Sequence, residues 1–273
     1  MQFRTTVDIP SPDFSIAPCE EMLFVGSCFA DNIGRRFVEE KFRATVNPFG
    51  VMYNPASILH TVSRTDVAPR CAVFTLGTNH VYVLKETGEI VDNCCKRPQR
   101  LFEERELAVE ECKDYLLQAV DILRRRRSDV RIIVTVSPIR YAKYGYHGSQ
   151  LSKATLLLAA DRLVKEVNGA HDGAATVTYF PAYEIVNDEL RDYRFYADDM
   201  LHPSPLAVEY IWQRMVEVFF SAEAKAFLKE WAPIKKGLAH RPFNADSDEY
   251  RSFVAKLHAD AERLRQRHPD MPL

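Results

Sequence analysis

The sequence alternates repeatedly between short apolar runs and longer amphipathic segments, and this alternation constrains the fold more than any other feature. Met22–Gly26 (MLFVG), Cys71–Leu76 (CAVFTL) and Arg131–Val136 (RIIVTV) are short, apolar and rich in branched or aromatic residues, which predicts buried strands. Apolar residues in Phe29–Phe42 and Ser152–Val167 recur at helical spacing, which predicts amphipathic helices. Strands that alternate with helices form βαβ units, so we predict an α/β protein whose mostly parallel sheet is covered on both faces.

The remaining predicted elements complete one domain and add a helical extension. They are strands at Arg43–Val46 and Thr176–Phe180, a hairpin of Val81–Leu84 with Glu89–Val91, and helices at 54–63, Glu103–Arg125 and Ala207–Phe219. We predict an α/β domain over residues 1–221 and a C-terminal helical extension over 222–273 that packs on the same domain. An apolar stripe in this extension consists of Tyr250, Phe253, Leu257 and Leu264. The sequence leaves the oligomeric state open.

Charge and cysteine content exclude several classes of protein. The chain contains 36 Lys and Arg residues against 38 Asp and Glu residues, a net charge of −2, whereas a dedicated nucleic-acid binder should be basic. It has no apolar run near the roughly 20 residues that span a bilayer and no signal-peptide pattern, so we expect a cytoplasmic protein without a membrane partner. The six cysteines form no C-x-x-C pair, which favours reduced thiols over a zinc site. We expect neither a metal nor a cofactor.

Polar sequences follow three of the predicted strands. These sequences are Gly26-Ser27-Cys28, Gly77-Thr78-Asn79-His80 and Ser137-Pro138-Ile139-Arg140. In parallel α/β sheets, ligands bind outside the carboxyl ends of the strands. We therefore expect the functional site of this chain at that edge of the sheet.

Ser27 stands between a predicted strand and a predicted helix. There its hydroxyl would lie at a helix N-terminus, where backbone N–H groups and the helix dipole favour negative charge that develops during a reaction. The same position also suits an ordinary N-cap serine. Both interpretations are compatible with the local sequence.

A D-x-x-H string joins Asp199 to His202 shortly before a helix that begins near Ser204-Pro205. In a tight loop, the aspartate could hold one ring nitrogen of the histidine while the other faces a nucleophile. The alternative is polar surface in front of a helix. Asp198 is a rival carboxylate, facing solvent or a loop arginine such as Arg140 or Arg194 if Asp199 holds the histidine.

Two residues are candidate donors to an oxyanion. The amide of Asn79 could point to the strand edge, and the N–H of Gly50 could do so from the loop after the second strand. The alternatives are an asparagine that caps a glycine turn and a simple turn glycine.

Taken together and in this order, the candidate residues have the arrangement of the SGNH (GDSL-type) hydrolases. The sequence more closely resembles the GSCFA family, whose name stands here as Gly26–Ala30. The likeness extends from about Glu20 to the C-terminal helix. It includes NPFGVMYNP at 47–55, TLGT at 75–78, Val81-Tyr82, SPIR at 137–140, SKATL at 152–156, YFPAYE at 179–184, DELRDYRFYADDMLHPS at 188–204 and AHRPFN from Ala239 to Asn244.

This resemblance implies a three-layer α/β/α sandwich that is SGNH-hydrolase-like and flavodoxin-like. It implies that Ser27 is the nucleophile, that Asp199 and His202 complete a triad, and that Gly50 and Asn79 contribute to the oxyanion hole. The chain departs from the pattern in two places. His80 follows Asn79 where an aspartate is usual, and the interval between Asn54 and Cys71 is shorter than is usual in the family.

We therefore predict a serine hydrolase that acts on an O-acyl ester, with a glycan O-acetyl ester as one candidate substrate. In the predicted mechanism His202 takes the proton of Ser27, and the N–H of Ser27 joins Gly50 and Asn79 in binding the oxyanion. Two alternatives remain open. One is an O-acyltransferase that acts on a glycan, and the other is a non-catalytic carbohydrate-binding or scaffold protein, which the short interval would fit.

Further polar residues are expected near the same edge. Arg140 could bind an anionic substrate group or form a salt bridge with a loop aspartate, while His80 and His147 could line the site. Cys28 is a second candidate nucleophile, although its place one residue into the helix favours inward packing. A metal site of His80, Asp199 and His202 is conceivable from residue types, but no ligand spacing supports it.

Overall fold

A computed structural model describes residues 4–170, 176–243 and 247–272 of the chain. Asn244, the last residue of the family-like AHRPFN segment, lies outside the described residues. Five strands form one parallel sheet in the order β2-β1-β3-β7-β8. These strands are β1 (Glu21–Gly26), β2 (Arg43–Val46), β3 (Cys71–Leu76), β7 (Arg131–Val136) and β8 (Val177–Tyr179).

Helices cover both faces of this sheet, as predicted. They are α1 (Cys28–Glu39), α2 (Pro55–Arg64), α3 (Val109–Arg126), α4 (Gly145–Gly169), α5 (Ala182–Glu184), which runs into a π-helix at Ile185–Leu190, and α6 (Pro205–Phe219). Alternate residues of β1 face opposite cores. Phe24 packs with residues of α1 and α6, whereas Val25 packs with residues of α2, α3 and α4. The doubly covered parallel sheet predicted from the alternation is therefore present, as is the three-layer α/β/α fold that the family resemblance implied, with the strand order of a flavodoxin-like sheet.

A second, antiparallel sheet is inserted between β3 and α3. It has the order β5-β4-β6 and consists of β4 (His80–Leu84), β5 (Glu89–Val91) and β6 (Phe102–Glu106). The predicted hairpin of β4 and β5 is present, but the prediction of a single helix over Glu103–Arg125 is wrong at its start. Residues 102–106 pair with β4 instead, and α3 begins only at Val109. Cross-strand pairing, which local charge does not reveal, decides this segment.

The C-terminal extension consists of two helices, α7 (Ala222–Leu238) and α8 (Asp248–Arg267). They enclose a separate apolar cluster that includes Trp231 and Leu264. The indole N–H of Trp231 donates to the carbonyl oxygen of Glu39 at the end of α1, over 2.9 Å. Of the predicted apolar stripe, Leu257 and Leu264 are buried, whereas Phe253 remains exposed. Within the described ranges, no helix is both long and apolar enough to cross a membrane.

Candidate active site

Ser27 lies directly after β1, at the carboxyl edge of the parallel sheet. It is the N-cap of α1, and its Oγ accepts a hydrogen bond from the N–H of Phe29 over 3.2 Å. The same oxygen lies 3.2 Å from the hydroxyl of Thr75 in β3, and Ser27 is only 2% exposed. Its hydroxyl is thus held at the positive end of the α1 dipole.

The turn that presents Ser27 requires a glycine before it. Gly26 has a φ of +147°, and a β-carbon there would lie 2.2 Å from the carbonyl oxygen of Thr75. Its N–H donates to the side-chain oxygen of Asn47 over 2.9 Å. The close approach of the β1–α1 turn to β3 therefore fixes where Ser27 stands.

Asp199 and His202 form the predicted hydrogen-bonded pair within one tight loop. One carboxylate oxygen of Asp199 lies 2.5 Å from Nδ1 of His202, and the other accepts the N–H groups of Leu201 and His202, both over 2.9 Å. The backbone hydrogen bond from His202 is the largest of several effects that lower the pKa of Asp199 to about 2, so this carboxylate is ionised at neutral pH. Because Nδ1 is engaged, Nε2 is the ring nitrogen left for a reaction partner. The rival Asp198 is exposed.

One cavity of about 230 Å³ brings Ser27 and His202 together. Cys28, Gly77 and Tyr141 also line it. A second cavity of about 370 Å³ shares Tyr53 and Tyr141 with the first. We call the two cavities together the aromatic cleft, since further rings from His80, Tyr82 and Tyr144 line the second one.

The inserted sheet and the chain after it supply one wall of the aromatic cleft. His80, the first residue of β4, is stacked on Tyr144 with 3.7 Å between the ring centroids. Burial is the main cause that lowers the pKa of His80. Asp92 and Arg97, which follow β5, line the same cavity. The interval from Asn54 to Cys71, which is shorter than is usual in the family, contains α2. Both Asn54, at its start, and the residues that follow β5 line the second cavity of the aromatic cleft.

Gly50 and Asn79, the predicted oxyanion donors, donate to other groups in this structure. The side-chain amide of Asn79 is buried and donates to the carbonyl oxygen of Leu107 over 2.8 Å, so it secures the segment before α3. Gly50 is exposed, and its N–H donates to the carbonyl oxygen of Asn47 over 2.8 Å. The N–H of Ser27 is also engaged, with Thr75 O at 3.1 Å. All three predicted donors therefore have other acceptors in this structure.

Cys28 offers a donor that the sequence analysis did not name. It is the first residue of α1 and lines the cavity beside Ser27. The first N–H groups of a helix have no acceptor within the helix. The signal in the sequence was the strand–serine–helix junction itself, because the N–H after a nucleophile on such a turn can bind an oxyanion.

Arg140 lines the cavity, but its contacts hold the Asp199–His202 loop. Its guanidinium Nη1 donates to the carbonyl oxygen of Met200 over 3.0 Å, and its backbone N–H donates to that of Leu201 over 2.9 Å. The guanidinium also lies over the rings of three tyrosines, at 4.1 Å from Tyr146, 5.4 Å from Tyr196 and 5.8 Å from Tyr193. In the part of the chain that the structure describes, no carboxylate pairs with Arg140, so of its two predicted alternatives the salt bridge to a loop aspartate is absent. Arg194 instead pairs with Asp192 at 2.9 Å.

We expect R140M to loosen this loop. Loss of the guanidinium removes one carbonyl contact and three cation–π contacts, so amide hydrogen exchange over 197–202 should accelerate. Any esterase rate should fall about tenfold because His202 is held less firmly. R194M is the matched control, since Arg194 is exposed and contacts Asp192 rather than the loop carbonyls. Unchanged exchange in R140M would contradict this role for Arg140.

The histidines considered for a metal site or for the carboxyl edge of the sheet do not lie together. Asp199 and His202 are in contact, but His80 lies in the second cavity of the aromatic cleft, and His147 is exposed in the first turn of α4. Across the described segments, no group of three or more His, Cys, Asp or Glu side chains could hold a metal ion.

The parallel sheet with helices on both faces defines a class: a three-layer α/β/α protein with a flavodoxin-like strand order. The model of the GSCFA family matches residues 21–70 and 67–215, and the model of the GSCFA domain protein C-terminal domain matches residues 231–273. The chain therefore belongs to the GSCFA family, which confirms the resemblance predicted from its motifs.

Several solved structures are similar to this chain, including three esterases. A catalytic mutant of an acetylxylan esterase from Geobacillus stearothermophilus is 14% identical, with 76% of this chain and 98% of that chain covered and a TM-score of 0.46. A carbohydrate esterase of family 3 from Talaromyces cellulolyticus is 11% identical, with 77% and 99% covered and a TM-score of 0.43. A family 3 carbohydrate esterase from Clostridium thermocellum is 12% identical, with 78% and 98% covered and a TM-score of 0.42. Among curated proteins, no sequence matches the chain significantly.

Proposed function

We propose that this chain is a serine ester hydrolase that cleaves O-acyl esters. The observation that carries the proposal is a single cavity lined by Ser27 and His202. Nδ1 of His202 is held by an ionised Asp199, which leaves Nε2 for the reaction. These three groups come from the β1–α1 turn and from the loop before α6. Serine, histidine and aspartate in these roles form the nucleophile, base and orienting group of acyl transfer.

In the proposed reaction, Ser27 Oγ attacks the ester carbonyl while Nε2 of His202 takes the hydroxyl proton. The Ser27 hydroxyl donates to His202 in this step, so in the contact between the Ser27 and Thr75 hydroxyls Thr75 is then the donor. The N–H of Cys28 and the α1 dipole stabilise the tetrahedral oxyanion. His202 then protonates the departing alcohol. A water molecule, deprotonated by His202, next attacks the acyl carbon, and His202 returns this proton to Ser27 Oγ as the acyl group leaves as a carboxylic acid.

The lining of the aromatic cleft supports a glycan as the alcohol portion of the ester. Tyr53 and Tyr141 stand between the cavity that holds Ser27 and the second cavity, where Tyr144 adds another ring. Flat rings can pack against the C–H face of a sugar, while polar groups such as Asp92 and Arg97 can bind its hydroxyls. The cavity of about 230 Å³ suits a small acyl group such as acetyl.

Labelling with a fluorophosphonate tests the hydrolase. We expect the wild-type protein to be labelled and S27A to be unlabelled, while H202A is labelled at least about 100-fold more slowly because the general base is lost. C28S is the matched control, since it removes the neighbouring thiol but keeps the N–H of that residue, and it should be labelled normally. Full labelling of S27A would show that Ser27 is not the nucleophile.

A non-catalytic carbohydrate-binding protein is the second candidate, and one observation favours it. The hydroxyl of Ser27 is tied to Thr75, and the three predicted oxyanion donors have other acceptors. Binding of a glycan by folded wild-type protein that resists the fluorophosphonate would favour this candidate. An O-acyltransferase would share the labelling result of a hydrolase, and transfer of an acetyl group to a glycan in preference to water would identify it.

A further inference from the structure

Lys153 is a buried cation that the proposed mechanism does not use. It belongs to the family-like SKATL segment, lies in α4 and is 2% exposed. Its Nζ donates to the carbonyl oxygens of Gly77 over 2.7 Å and Ser137 over 2.9 Å. Gly77 and Ser137 follow β3 and β7, so one ammonium group joins the ends of two neighbouring strands.

The placement of Lys153 is costly for the fold. Over the described segments, no carboxylate forms an ion pair with it, and burial lowers its pKa to about 7. An apolar side chain of similar length would fill such a space at a lower cost. The preceding residue, Ser152, already holds the same strand end through neutral hydrogen bonds with the Thr78 hydroxyl at 3.1 Å and the Asn79 N–H at 3.0 Å. A charge is therefore not needed merely to attach α4 to β3.

Gly77 links the ammonium group of Lys153 to the site of the proposed nucleophile. The carbonyl oxygen of Gly77 accepts from Lys153, and a β-carbon built on Gly77 would lie 3.3 Å from Cβ of Ser27, so Gly77 is adjacent to both side chains. Gly77 and Ser137 both line the cavity that holds Ser27. In this dry environment, a positive charge acts on a nearby developing anion more strongly than it would in water.

We propose that Lys153 is a positioning residue for this site, whose ammonium joins the ends of β3 and β7 and provides a positive potential that stabilises negative charge formed at Ser27. The inference rests on the proposed function for its catalytic consequence. Below about pH 7, where Lys153 is protonated, this potential exists whether or not the chain hydrolyses esters, so it can be measured separately.

The test introduces a thiol in place of the hydroxyl with S27C. Cys28 is replaced by serine in every variant, so that its thiol does not react beside position 27. The rate of alkylation by iodoacetamide is followed at pH 6.5 by tandem mass spectrometry that assigns the modification to position 27, with and without K153M. A neighbouring cation increases the thiolate fraction, and one unit of pKa is a tenfold change, so we expect K153M to slow alkylation about five- to tenfold. S152A is the matched control, since it removes neutral hydrogen bonds at the same strand end, and it should change the rate less than twofold.

K153Q is the second variant and is used if K153M fails to fold. Its amide can still donate to a strand-end carbonyl oxygen, but it carries no charge. It should slow alkylation as K153M does. If the wild-type chain is labelled by the fluorophosphonate, K153Q should also lower kcat at least about tenfold, with KM changed less than threefold. Alkylation that neither variant slows would overturn the proposal for Lys153. Slower alkylation in a chain whose wild type resists the fluorophosphonate would refute the hydrolase while the role of Lys153 stands.

Discussion

D199N is expected to lower kcat on an O-acyl ester about 10³- to 10⁴-fold while the fold remains intact. The asparagine oxygen can still accept the N–H groups of Leu201 and His202, so the loop keeps its backbone hydrogen bonds. Its NH₂ group cannot accept a hydrogen bond from Nδ1–H of His202, which removes the contact that now measures 2.5 Å. The imidazole then favours the tautomer whose Nε2 carries the proton and cannot act as a base.

D198N is the control, because Asp198 is the adjacent, exposed carboxylate. It should change kcat less than threefold. Steady-state hydrolysis of an acetyl ester measures both variants, and circular dichroism verifies that both are folded. Equal losses in the two variants would mean that net loop charge, rather than the Asp199–His202 contact, governs the rate.

G26A is expected to destabilise the native state by more than about 4 kcal/mol, which is among the largest effects of a single substitution. A β-carbon at position 26 would lie 2.2 Å from the carbonyl oxygen of Thr75 and 2.8 Å from its backbone nitrogen. Both are backbone atoms of the central strand β3, so they cannot move away without breaking the sheet. The φ of +147° adds strain for any residue with a side chain.

G50A separates the clash from the backbone strain. Gly50 also has a positive φ, of +95°, but a β-carbon there would meet nothing within 4 Å. We expect G50A to cost only about 1–2 kcal/mol, the usual cost of a left-handed residue. Urea unfolding followed by fluorescence measures both variants. Similar losses of stability in the two would contradict the contact between Gly26 and β3 as the cause.

Much of the architecture follows from local pattern. The apolar runs of β1, β3 and β7 and the amphipathic spacing of α1 and α4 predicted a doubly covered parallel sheet, since each strand is buried on both faces. Asn54 and Pro55 predicted the start of α2, where the Asn54 side chain does accept from the N–H of Ser57. The mistaken start of α3 arose where pairing with β4 overrode the helical tendency of a charged segment.

The candidate site could be predicted only in part. Asp199 and His202 are three positions apart, so their contact is local and its spacing was visible in the sequence. The contacts of Asn79 with Leu107, of Gly77 with Lys153 and of Arg140 with Met200 join residues far apart in the chain. The spacing of residues in the sequence does not indicate which donor will find which acceptor over such separations.

The sequence by itself determined the fold class, the family and the strand-edge location of Ser27, because these depend on periodicity and on motifs within short segments. The tertiary structure decided the chemical environment of the site. In the folded chain, the N–H of Gly50 and the side-chain amide of Asn79 donate to other carbonyl oxygens. Cys28, at the N-terminus of α1, lines the cavity, and the buried Lys153 donates to Gly77. A hydrogen bond is made or lost within a few tenths of an ångström. That degree of placement comes only from the packing of distant segments against one another.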